Sequence, residues 1–174
     1  MPLNRKGLLQ HPERASYLAT AAAVTASAIV GAKAVDPGST WYRSLSKPRW
    51  QPPSWAFGVV WTPLYASIAW AAGHALTKAE GGQKRALAGS LAANLTLNTA
   101  WNWVFFRARS PKAGLATTAL LDASNAELIR RTARADATAA AALLPYAAWC
   151  LFATALNGSI ARRNPSPATP KLSS

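Results

Sequence analysis

Trp50-Gln51-Pro52-Pro53-Ser54-Trp55-Ala56-Phe57-Gly58-Val59-Val60-Trp61-Thr62-Pro63-Leu64-Tyr65-Ala66-Ser67-Ile68-Ala69-Trp70-Ala71-Ala72-Gly73-His74-Ala75-Leu76-Thr77 is a run of 28 residues without one Asp, Glu, Lys or Arg. Three further uncharged windows accompany it, at 15–32, 86–106 and 137–161, of 18, 21 and 25 residues. A helix that crosses a bilayer needs about 20 mostly apolar residues, within a range of about 17–25. Four such windows in 174 residues do not suit a soluble fold. Only helices or closed barrels satisfy their backbone in lipid, and these windows lack the two-residue alternation of barrel strands. The sequence therefore predicts an all-α membrane bundle. Its mean hydropathy is only +0.04, because the windows are rich in alanine and charge is concentrated between them. Charged residues make up 14% of the chain, against roughly 25% in soluble domains.

A fifth helix is expected over about 112–131. It begins uncharged and then carries Asp122, Asn125 and Glu127 before Arg130 and Arg131. Glu127 and Arg131 form a favourable i,i+4 pair, and Asp122 and Asn125 share a face. An unpaired carboxylate facing lipid costs about 2.5–3.5 kcal/mol on insertion scales, so that face is expected to point inward. The alternative is a helix lying along the membrane surface. The window at 15–32 also has a rival reading as a cleavable signal, since Arg5, Lys6 and Arg14 precede it. It is longer than the usual 7–15-residue signal core, which favours a retained helix. The expected organisation is a basic N-terminal tail over 1–14 and a five-transmembrane-helix bundle over 15–161. Its spans lie at about 15–33, 53–77, 86–106, 112–131 and 137–161, followed by a disordered, proline-containing tail over 162–174.

The chain holds 19 Lys and Arg against 6 Asp and Glu, a net charge of +13. Such a balance normally suggests nucleic acid. With five spans, however, the basic residues divide nine to ten between the two sides. No one face collects them, so nucleic acid is not an expected partner, and the spread suits lipid headgroups on both sides. The same division leaves membrane orientation undecided by the positive-inside rule.

Eight tryptophans accompany four tyrosines and four phenylalanines. Trp50, Trp55 and Trp103 lie near window ends, where interfacial indoles are common. Trp61 and Trp149 lie well inside theirs. Asn94, Asn98, Trp101 and Phe105 fall on one helical stripe. Amides at membrane depth must be bonded, either to another helix or, as is equally open for Asn98, to a ligand. Pro63 and Pro145 each remove a backbone bond and can open space between helices. Together these features imply a pocket walled by indoles, floored by amides and roofed by the proline-rich segment before residue 54. It would suit a flat aromatic ligand.

No catalytic constellation is readable. The histidines are His11 and His74, without a nucleophile–base pattern, and the single Cys150 excludes a disulfide framework or multi-cysteine metal site. No catalytic or metal-ligating residue is expected.

Trp41-Tyr42-Arg43-Ser44-Leu45-Ser46-Lys47-Pro48-Arg49-Trp50-Gln51-Pro52-Pro53, followed by Phe57, Trp61 and Leu64-Tyr65, resembles the signature of the TspO/MBR family, which comprises tryptophan-rich sensory proteins and translocator proteins. Asn94-x-x-x-Asn98-x-x-Trp101 with Phe105-Phe106 resembles its third helix. Leu144-Pro145-Tyr146-x-x-Trp149-x-x-Phe152-Ala153-x-x-Leu156-Asn157 resembles its fifth. The resemblance implies five transmembrane helices, frequently in a homodimer, and a pocket beneath the first loop that binds porphyrins, haem or synthetic aromatic ligands. At the matching positions Trp41, Pro52, Trp61, Asn98, Trp101, Trp149 and Ala153 would line that pocket. The family's sterol-contact pattern has a tyrosine before a basic residue in the last helix. Here Leu156-Asn157-Gly158-Ser159-Ile160-Ala161-Arg162 has none, which argues against sterol binding.

The expected function is therefore that of an integral, multi-pass membrane protein that binds a porphyrin or haem and serves transport, sensing or regulation of porphyrin levels. No cofactor is required. Two alternatives stay open: a light- or oxygen-dependent porphyrin-degrading enzyme that uses the pocket tryptophans, and a membrane scaffold or stress-response partner.

Overall fold

The computed structural model describes residues 12–165, which contain helices and no strand. Helix α1 is Pro12–Ala32, the short α2 Thr40–Ser44, α3 Ser54–Lys78 and α4 Gly81–Asn102, which runs on as a π turn over Trp103–Arg107. Helix α5 is Pro111–Ala135, α6 Ala137–Ala142 and α7 Leu144–Arg163. Two stretches, Glu13–Ala32 and Ala137–Arg163, are long and apolar enough to cross a membrane on length and composition. His11 and most of both expected tails lie outside the described residues.

The helices close into a ring. Helix α1 packs on α3 and α4, α4 on α5, α5 on α7, and α6 returns to α3. Much of the core is alanine, with Ala71, Ala72, Ala75 and Ala139 fully buried, so the helices approach closely. At Gly73 a Cβ would lie 2.7 Å from Tyr17 Cδ1 and 2.9 Å from Thr20 Oγ1, so only hydrogen fits where α1 meets α3. The Thr20 hydroxyl donates to the Ala69 carbonyl at 2.9 Å across the same contact.

Helix α3 continues through Pro63. The stretch from 137 is instead interrupted at Leu143, just before Pro145. The carbonyl of Ala142 at this break accepts from Ser67 Oγ of α3. Helix α5 turns its polar residues inward, as expected. Thr154 of α7 donates to Asp122 at 2.6 Å, and Asn125 accepts from Asn94 at 2.7 Å. The expected Glu127–Arg131 pair is present at 2.5 Å, and Arg130 joins it at 2.7 Å. The last helix reaches Arg163 rather than ending at 161. Asn164 then grips residue 46, accepting from its N–H at 2.9 Å and donating to its carbonyl at 3.0 Å.

Asp136 joins α5 to α6. Its carboxylate accepts from Lys78 Nζ and, as the helix cap, from the Ala139 N–H at 2.7 Å. The Lys78 hydrogen bond, with the cap behind it, holds its pKa below the usual carboxylate range. The unfolded carboxyl titrates near pH 4. The stabilisation is therefore complete above that value and lost as pH falls through the lower folded pKa. Asp136→Ala should lower the melting temperature at pH 7, with the gap to wild type closing as melts are repeated below about pH 4.

The cations are spread over both ends of the bundle, but the carboxylates are not. Arg14, Lys78, Lys84, Arg85, Arg130, Arg131 and Arg134 share their end with Glu13, Glu80, Glu127 and Asp136. At the other end stand Lys33, Arg43, Lys47, Arg49, Arg107, Arg109, Lys112, Arg162 and Arg163, with Asp36 as the one carboxylate among the described residues. The ion pairs at Asp136 and Glu127 all belong to the first end.

Candidate functional site

At the cation-rich end the helices enclose a cavity of about 410 Å³, within the roughly 300–1,000 Å³ of small-molecule sites. Ala28 and Ala32 of α1, Phe57, Trp61 and Tyr65 of α3, and Ala153, Leu156, Asn157 and Ile160 of α7 face it. Helix α4 contributes Trp101, Asn102, Phe105 and Phe106. These four stand at i, i+1, i+4 and i+5, one face of an ordinary helix. The helix widens at their end, where the Ala108 N–H bonds back to the Trp103 carbonyl at 2.9 Å, five residues away.

The roof is the segment between α1 and α3. Ser39 caps α2 by accepting from the Tyr42 N–H at 3.3 Å. Tyr42 lines the cavity, and its hydroxyl accepts from Gln51 Nε2 at 3.2 Å. Burial raises the pKa of this phenol. Lys47 Nζ stands 4.1 Å from the centre of the Tyr42 ring, and burial lowers the pKa of that ammonium.

The floor is held by hydrogen bonds. Trp101 Nε1 donates to Asn157 Oδ1 at 3.0 Å, and Asn157 Nδ2 donates to the Pro111 carbonyl at 2.6 Å. Asn98 accepts from the Tyr65 hydroxyl at 3.2 Å and donates to Tyr146 at 3.3 Å. Tyr146 in turn donates to Asn94 at 2.9 Å. Asn94 is fully bonded between α5 and α7, whereas Asn98 both bonds across helices and faces a cavity.

The expected pocket residues take different places. Trp61, Trp101 and Ala153 line the large cavity and a smaller adjoining one. Asn98 and Trp149 line only the smaller, where Trp149 stacks on Phe152 at 5.0 Å and meets Phe57 edge-on at 5.9 Å. Trp41 and Pro52 face neither cavity. Trp41 packs edge-on behind Phe105, 5.6 Å between ring centres, and supports the wall from outside. Tyr42, Gln51, Tyr65 and Asn157 line the large cavity without having been singled out as site residues. Tyr65 could have been found from its i+4 spacing to Trp61, with which it stacks at 5.0 Å. Nothing in the local pattern of α1 marks Ala28 or Ala32.

Indoles from α3 and α4 and a short roof helix are thus assembled around one hollow, with the α7 indole at the smaller cavity beside it. A sequence profile of the TspO/MBR family matches residues 18–163. The chain belongs to the TspO/MBR family. It is 37% identical over 134 residues to the tryptophan-rich protein TspO of Chlorobaculum tepidum, covering 74% of this chain and 82% of that protein. It is 33% identical to the Homo sapiens translocator protein, over 73% of this chain and 76% of the relative. With the Archaeoglobus fulgidus tryptophan-rich protein TspO it shares 36% identity, over 84% and 92%. These are membrane proteins, and the all-α bundle of this TspO/MBR chain is of their kind.

Proposed function

We propose that this TspO/MBR protein crosses the membrane five times and binds a tetrapyrrole such as a porphyrin or haem, acting in the transport, sensing or regulation of porphyrin levels. The observation that carries the reading is the cavity wall, where Trp61 and Trp101 from different helices face one hollow. Flat conjugated rings gain most from such a wall, through offset stacking and edge contacts. Among the described residues no Asp, Glu or His lines the large cavity, which favours holding a ligand over acid–base chemistry on it.

The test is titration of the detergent-solubilised protein with protoporphyrin, followed by tryptophan fluorescence. Saturable quenching is expected, with weaker affinity in Trp149→Ala, whose indole lines the adjoining cavity. Quenching that rises linearly without saturation would sink the reading.

A further inference from the structure

The cavity wall is apolar, but its roof is not. Tyr42, Gln51 and Ser54 face the hollow there. Beyond them stand cations with no carboxylate partner among the described residues. Lys47 sits over the Tyr42 ring. The Asn164 grip on residue 46 brings the end of α7, with Arg162 and Arg163, beside that lysine. Arg107 donates to the Lys33 carbonyl at 3.0 Å, which closes the collar across α1 and α4. Gln51 steadies Tyr42 there, its Nε2 donating to the phenol while its Oε1 is buried.

We infer that this collar selects the charge of the ligand: the aromatic body enters the cavity, and its carboxylates stay at the roof, held by Lys47 and the surrounding cations. The inference rests on the proposed ligand reading and adds the group that discriminates within it: Lys47, which favours the diacid over a neutral form of the same ring. Two physical effects work together. Unpaired cations around a low-dielectric hollow focus their field into it and draw anions. A carboxylate that reaches Lys47 makes a charge-assisted hydrogen bond, about twice as strong as a neutral one. The opposite end of the bundle is less suited, because its carboxylates pair with Lys78, Arg130 and Arg131.

The experiment compares protoporphyrin with its neutral dimethyl ester, by the same quenching titration, on protein in discs of zwitterionic lipid. The diacid should bind about tenfold tighter than the ester, the effect of one charge-assisted contact. Added salt should narrow the ratio. Lys47→Gln should bring it close to one, and Lys47→Arg should restore much of it. Lys84→Gln, at the other end, should leave it as in wild type. Saturable binding of both compounds with equal affinity overturns charge selection and leaves the tetrapyrrole reading standing. Absence of saturable binding by either overturns that reading and the inference with it. If Lys47→Gln weakens only retention on phosphatidylglycerol vesicles and does not move the ratio, the collar serves lipid headgroups and the inference fails.

Discussion

Gly114→Val should leave little folded protein, and what remains should unfold far below wild type. Position 114 lies on α5 where it crosses α4 and α7. A Cβ there would stand 2.8 Å from Asn157 Oδ1, 3.1 Å from Phe105 Cδ2 and 3.5 Å from Trp101 Nε1. Those atoms cannot easily retreat. Asn157 is fixed by its bonds to Trp101 and the Pro111 carbonyl, and Phe105 is buried between Trp41 and Trp101. Overpacking alone costs roughly 1–3 kcal/mol. If Asn157 yields, the part-buried Trp101 N–H loses its acceptor, at roughly 1 kcal/mol more. The sum is a large part of the stability of a domain this size. The same two helices supply the control: at Gly158 of α7 a Cβ would meet only Leu115, at an ordinary 3.5 Å. Gly158→Ala should match wild type in size-exclusion yield and thermal midpoint. Equal behaviour of Gly114→Val and Gly158→Ala would show that the floor is not the tight junction described.

The contrast also shows what could be read from the chain in advance. The all-α membrane class follows from the uncharged windows, because lipid imposes one rule on every backbone group along them. The inward face of α5 follows because Asp122 and Asn125 had nowhere else to go. The stripe of Asn94, Asn98, Trp101 and Phe105 is a matter of helical spacing. Gly114, by contrast, stands in a segment with other small residues and carries no local mark. Its importance arises only when Asn157, from the last helix, and Phe105, from the turn that precedes α5, meet above it. The π turn is equally hidden, since nothing in Trp103-Val104-Phe105-Phe106-Arg107 announces a turn one residue too wide. The charge asymmetry was missed for another reason. Lysine and arginine divide evenly between the ends, and it is the scarce carboxylates, four at one end and one at the other among the described residues, that set the sign around the cavity.

Trp61→Ala should be the most damaging single change to ligand binding, and its effect separates the two populations of indoles. Trp61 faces both the large and the adjoining cavity, stacks on Tyr65 at 5.0 Å and meets Tyr146 edge-on at 6.1 Å. A ligand lying against it would lose a rigid aromatic face at the centre of the site, where truncation of such anchors typically costs about 2 kcal/mol or more, or about thirtyfold in affinity. Removing the ring also frees Tyr65, whose hydroxyl donates to Asn98, so the floor loosens with the wall. Trp61→Phe keeps an aromatic surface and should recover much of the loss. Trp55 lies six residues earlier on the same helix, is 71% exposed and faces neither cavity. Trp55→Ala should bind protoporphyrin as wild type does, because that indole belongs to the membrane interface. If the two alanine variants bound equally well, the wall of indoles would be packing and not a binding surface. A loss confined to Trp55→Ala would move the site to the outer face of α3, away from the hollow.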